Sequence, residues 1–143
     1  MKKILVINGP NLNLLSIREP DLYGQDTLEE IKIYTEGKLT KEEVSTTWFQ
    51  SNREADILEK IQSDMAAYDG IVLNPGSLGH SSFALYDCIR GLPCRVVEVH
   101  LTNTHGREDF RSDRMSARVC LGVIEGLGKD VYYLGVLSLL NTR

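Results

Sequence analysis

The sequence predicts an α/β fold built on a five-stranded parallel sheet, strand order 2-1-3-4-5, with helices on both faces. Three observations predict it. Strand-like and helix-like segments alternate five times, the chain of 143 residues has room for one domain spanning 1–143, and the long polar loops follow the first, third and fourth strands. Right-handed crossovers then carry those loops to one rim, beyond the carboxyl ends of the strands.

Residues 3–8 (KILVIN) form a short β-branched apolar run that stops at Gly9-Pro10 and reads as a buried strand. Gly9 to Asp26 is a polar loop without periodic pattern, longer than most connections in a compact domain, and such loops are often functional. Thr27-Leu-Glu-Glu30 is a capping box opening a helix to Leu39. Residues 43–50 (EVSTTWFQ) are the second strand, and Ile57, Leu58, Ile61 and Met65 give 53–67 an apolar helical stripe. The third unit is strand 70–74, the loop NPGSLGHSS and helix 82–90. Strand 95–100 precedes a polar loop over 101–117. Residues 118–125 (RVCLGVIE) read as the fifth strand. Val131, Leu134, Leu137 and Leu140 are the apolar face of a closing helix, with Asp130 as its cap. Five such units in a chain of this size suit the flavodoxin-like order, with ligands expected near the switch between strands 1 and 3.

Apolar residues are 42% and charged residues 25%, as in ordinary globular domains. Sixteen Lys and Arg against twenty Asp and Glu give a net charge of −4, which argues against nucleic acid as the partner. No segment has the run of about 20 apolar residues needed to span a bilayer. The apolar run near the N-terminus is too short for a signal-peptide core. Cys88, Cys94 and Cys120 have neither metal-ligand nor redox spacing and read as small buried hydrophobes in a reducing compartment, so the expected location is the cytoplasm.

The expected rim gathers all three histidines (His80, His100 and His105), the amides Asn8, Asn11, Asn13 and Asn74, and Arg18, Arg107 and Arg111. Glu98 and His100 lie on one face of a strand, so the carboxylate can orient the imidazole for acid chemistry. The same pair with His105 and Asp109 has no HExxH or paired Cys/His spacing, and no metal is expected. No GxGxxG follows strand 1 and no GxxxxGK[ST] occurs, so no nucleotide cofactor is expected. A phosphoacceptor domain of this topology needs acids where Asn8 and Asn74 stand. Tyr23 follows Arg18 by five residues, and a guanidinium favours a phenolate. Lys2, Lys3, Lys32, Lys38, Lys41, Lys60 and Lys129 lie outside the rim loops, which disfavours Schiff-base chemistry.

ILVINGPNLNLL, REPDLYG, QSN, NPGSLGHSS, VEVHLTN and HGREDFR, in this order between residue 4 and about residue 128, closely resemble the type II 3-dehydroquinate dehydratases. The resemblance implies a cofactor-free, metal-free enzyme dehydrating 3-dehydroquinate to 3-dehydroshikimate, in the shikimate route or in quinate breakdown. It implies a flavodoxin-like fold and a homododecamer, a tetramer of trimers. By resemblance, Tyr23 is the base, Arg18 keeps it ionised, Asn11 holds a water for the enolate, and His100, oriented by Glu98, protonates the leaving hydroxyl. Asn74 and the backbone of Leu101 and Thr102 match the carboxylate-binding groups, and His80 and Arg111 those that hold the ring hydroxyls. Arg107 matches a second arginine of the same loop, and Asp87 a residue reaching a neighbouring subunit's site. Three places depart from the family pattern. Ser16 stands where Gly is usual, Leu78-Gly79 replaces an aromatic-Thr pair, and SDRMSARV over 112–119 replaces a His-Ser-rich stretch.

Overall fold

In the computed structural model, which describes residues 1–63, 65–111 and 113–141, five strands pair in the order β2-β1-β3-β4-β5 and every pairing is parallel. They are β1 (Lys2–Asn8), β2 (Val44–Gln50), β3 (Gly70–Asn74), β4 (Arg95–His100) and β5 (Gly122–Glu125). The expected fold class and strand order are both found. A parallel strand covered on both faces must be apolar on consecutive residues. Ile4 to Ile7 are accordingly all buried, with Ile4 and Val6 in one layer and Leu5 and Ile7 in the other.

Six helices flank the sheet among the described residues: α1 (Pro20–Tyr23), α2 (Leu28–Lys38), α3 (Glu54–Ser63), α4 (Leu78–Ser81), α5 (Phe83–Arg90) and α6 (Asp130–Leu140). α2 and α6 close one layer through Ile31, Val131, Tyr132, Val136 and Leu139; α3 and α5 close the other through Ile57, Ile61, Leu85 and Ile89. The capping box forms as expected. Thr27 Oγ1 accepts from Glu30 N–H at 3.1 Å, and the Glu30 carboxylate accepts from Thr27 N–H at 3.2 Å.

Several boundaries differ from expectation. α3 is described over Glu54–Ser63, position 64 of the expected 53–67 helix lies outside the described residues, and Met65, expected on the apolar stripe, is 38% exposed. The fifth strand is only Gly122–Glu125. The segment before it turns as a 3-10 helix over Ser116–Val119, and among its described residues the connection from β4 to β5 holds three such turns and no α-helix. Asp130 does not cap α6. It is the first helical residue, and its carboxylate instead accepts from Tyr34 Oη at 2.7 Å and Lys38 Nζ at 3.3 Å, tying α2 to α6. The buried face of α6 is Val131, Tyr132, Gly135, Val136 and Leu139; Leu134, Leu137 and Leu140 are only half-buried. The helix is apolar nearly all round, so its period could not choose the face. Gly135 decides it, since a Cβ there would sit 3.2 Å from both Val72 and Val99 on the sheet.

At the carboxyl ends of β1 and β3, in register at Asn8 and Asn74, two loops cross in contact. A Cβ at Gly9 would lie 2.2 Å from the Pro75 carbonyl oxygen, so only glycine fits. This crossing is the floor of the site.

Candidate active site

A cavity of ≈ 140 Å³ opens at this rim. Of the residues expected in the site, Asn11, Arg18, Tyr23, Asn74, His80, His100, Leu101, Thr102, Arg107 and Arg111 all line it. Pro10, Leu12, Gly76, Ser77 and Thr104, not singled out from the sequence, complete the wall. Glu98 stands behind His100. Asp87 is exposed on α5, outside its own chain's cavity. Asn8 and Asn13 do not line it. His105 does not either; its Nε2 lies 3.5 Å from the Glu125 carboxylate. Among the described residues no group of three His, Cys, Asp or Glu side chains is arranged to hold a metal ion.

Tyr23 ends the four-residue helix α1, which Pro20 opens with a preset φ. Its ring is contacted by two cations: the Arg18 guanidinium carbon is 4.9 Å and that of Arg107 is 5.1 Å from the ring centroid. Each such contact is worth about 0.5–2 kcal/mol, depending on how far it is desolvated. Arg107 and Arg111 arrive on the loop after β4, both beside Glu108, at 3.8 and 2.7 Å. A backbone hydrogen bond, then the Arg111 contact, holds the Glu108 carboxyl below its ordinary range. Three arginines at the mouth make the cavity locally cationic despite the net charge of −4.

The loop from β1 holds three non-glycine residues at positive φ: Asn11 (70°), Ser16 (78°) and Glu19 (44°). Asparagine tolerates that conformation, and Asn11 N–H is held by Asn52 Oδ1 at 2.9 Å. Ser16, where the family pattern has Gly, does sit in the left-handed region that favours glycine.

His100 and Glu98 are 7% and 0% exposed, and His100 Nε2 lies 2.8 Å from Glu98 Oε2. A buried carboxylate is costly unless its oxygens are bonded; the second, Oε1, accepts from Ser116 Oγ. His80 Nδ1 lies 2.9 Å from the Asp113 carbonyl oxygen, and a carbonyl only accepts, so Nδ1 carries the proton and donates it in this bond. Asn74 is also held from behind. Its Nδ2 donates to Tyr132 Oη at 3.0 Å, Tyr132 Oη donates to Asn8 Oδ1 at 2.6 Å, and Asn74 Oδ1 accepts from Gly76 N–H at 3.3 Å. Burial pushes the Tyr132 phenol well above its ordinary range, so it stays neutral as donor and acceptor in this network. No residue spacing signalled Tyr132 or Ser116.

The arrangement provides a phenol beside two guanidinium groups, an imidazole backed by a buried carboxylate, and amide and guanidinium donors around a small cavity. That set can remove a proton on one side of a bound anion and deliver one on another.

A family model described as Dehydroquinase class II matches residues 2–140. A 3-dehydroquinate dehydratase of Bacillus licheniformis is 44% identical, with all of this chain and 99% of that protein covered. One of Clostridium beijerinckii is also 44% identical, over 96% and 94%. Among solved structures, a type II dehydroquinase from Butyrivibrio crossotus superposes with a TM-score of 0.94 at 37% identity, covering 98% of each chain. Another from Propionibacterium acnes superposes with a TM-score of 0.92 at 31% identity, covering 100% and 98%.

Proposed function

The chain belongs to the class II dehydroquinase family and is a hydro-lyase that dehydrates 3-dehydroquinate in the shikimate pathway, and from this premise we propose which of its groups performs each step. Tyr23, as phenolate, takes the proton from the carbon next to the ketone. The electron pair moves into the carbonyl, and the enolate oxygen is met by a water held on Asn11. His100 then protonates the departing hydroxyl, the double bond forms, and water leaves. Glu98 orients the imidazole. Asn74 and the backbone N–H groups of Leu101 and Thr102 bind the carboxylate, while His80 and Arg111 hold the ring hydroxyls. Arg107 shares with Arg18 the stabilisation of the phenolate. The whole chain, 1–143, acts as one catalytic domain.

The observation that carries this reading is the placement of Tyr23 within contact of two guanidinium groups in the cavity that His100 also lines. The test follows the conjugated enone product in ultraviolet absorbance. Tyr23→Phe should abolish turnover and leave substrate binding largely intact; a rate within tenfold of the unaltered enzyme would remove Tyr23 as the base. His100→Ala should lower kcat by about 10²–10⁴-fold; a change in KM alone would make His100 a binding residue.

The proposed assembly is a dodecamer, a tetramer of trimers, with Asp87 reaching a neighbouring subunit's site. Asp87 shares its side of α5 with Phe83, four residues earlier, and Phe83 is 74% exposed, an apolar surface suited to a subunit contact. Light scattering should return twelve times the chain mass of 16.1 kDa. As for location, no helix among the described residues is long and apolar enough to cross a membrane; a cytoplasmic setting is the one in which this pathway enzyme meets its substrate.

A further inference from the structure

Glu98 has a partner that the proposed chemistry does not use. Its Oε2 receives His100, and its Oε1 receives the hydroxyl of Ser116, which is as fully buried as Glu98 itself, both at 0% exposure. Ser116 begins a 3-10 turn, and the backbone just before it is pinned to α4 by the Met115 N–H, which donates to the Gly79 carbonyl at 2.8 Å. On the far side, Cys120 Sγ donates to the Ser116 carbonyl at 3.2 Å. The hydroxyl itself occupies space that only glycine at position 79 leaves open. A Cβ there would lie 3.0 Å from Ser116 Oγ and 2.9 Å from Pro75 Cγ. Positions 79 and 116 both fall in stretches where the sequence departs from the family pattern, and in space they touch.

We propose that Ser116, admitted by the bare Cα of Gly79, is a positioning residue for the dehydration, fixing the Glu98 carboxylate so that its other oxygen aims at His100. A carboxylate can turn about its terminal torsion, which is broad and nearly two-fold. One hydrogen bond from His100 leaves that rotation available, and a second from a buried, backbone-pinned hydroxyl removes it. Ser116 does not line the cavity, so its contribution falls on the proton delivered by His100 and not on substrate binding. This inference rests on His100 as the acid.

The enone assay on the full chain tests it. Ser116→Ala should lower kcat about tenfold and leave KM within twofold. In a Glu98→Ala background the same substitution should change kcat less than twofold, because Ser116 acts only through the carboxylate already removed. A kcat for Ser116→Ala within twofold of the unaltered enzyme overturns the proposal. So does an equal loss in both backgrounds, which would mark a packing role. Should Ser116→Ala fail to fold, Ser116→Cys keeps the shape with a weak donor and must show the same kcat-selective loss; full activity there overturns the proposal too. His100→Ala in the same assay separates the two readings. If it keeps full kcat, the acid assignment fails; if it loses kcat while Ser116→Ala does not, only the positioning role fails.

Discussion

Tyr132→Phe removes one oxygen and leaves the ring. That oxygen lies in a residue of 0% exposure, where it accepts from Asn74 Nδ2 at 3.0 Å and donates to Asn8 Oδ1 at 2.6 Å. Asn8 and Asn74 are themselves 0% and 3% exposed, so no solvent replaces the lost partner. Each buried polar group left unsatisfied costs about 1–3 kcal/mol. Two such groups predict a loss of about 2–6 kcal/mol, or a fall in melting temperature of roughly 6–18 °C for a chain of this length. Thermal melting by circular dichroism measures it. The single tryptophan supplies the control: Trp48 packs with ring centroids 5.2 Å from Tyr132, so unchanged Trp emission shows the ring has stayed in place. The variant should also raise KM for 3-dehydroquinate, since Asn74 lines the cavity and loses one of the two bonds that orient its amide. A melting point within about 2 °C of the unaltered protein, with unchanged emission, would refute the assignment of this hydroxyl as the partner that Asn74 Nδ2 and Asn8 Oδ1 depend on.

Three further outcomes are expected. Gly9→Ala should destabilise by at least about 2 kcal/mol, because its Cβ meets a backbone carbonyl that no side-chain rotation can move; near-native melting would mean the two loops can separate. Burial pushes Glu125 upward, but hydrogen bonds from Thr104 and Arg114 and the nearby positive charges outweigh it and hold the carboxyl below its ordinary 4.5. A lowered native value gives stability that is present above that pH and lost as pH falls through the native value. Melts between pH 3 and 6 should therefore show an acid limb below about pH 4.5 that Glu125→Gln flattens, and an unaltered limb would count against the pairing. Finally, burial raises all three thiols, Cys120 to about 12. At pH 8 the native protein should react slowly with a disulfide reagent, Cys120 last, and rapidly once unfolded; prompt labelling of Cys120 would contradict its burial.

The fold was legible where burial imposes pattern. Strands covered on both faces must be continuously apolar, and β1 and β3 announce themselves so. The capping box at Thr27 was legible because both its bonds are local in sequence. α6 was not, since a helix apolar all round carries no phase, and its contact face was chosen by the close approach that Gly135 allows. The 3-10 turns between β4 and β5 carry polar residues without period, and so read only as loop.

The site divides the same way. Residues such as Asn11, Arg18, Tyr23, His80 and His100 could be named in advance because they stand at or just beyond the carboxyl ends of parallel strands, where topology brings them to one rim. Their supports could not. Tyr132 reaches Asn8 across 124 positions and Asn74 across 58, and Ser116 reaches Glu98 across 18. Sequence by itself determined the sheet order and which chemical groups gather at the rim, because strand patterning and chain alternation are local properties. Tertiary structure decided which way those groups face, because a buried polar atom takes whichever partner packing brings within hydrogen-bond reach, however distant in the chain.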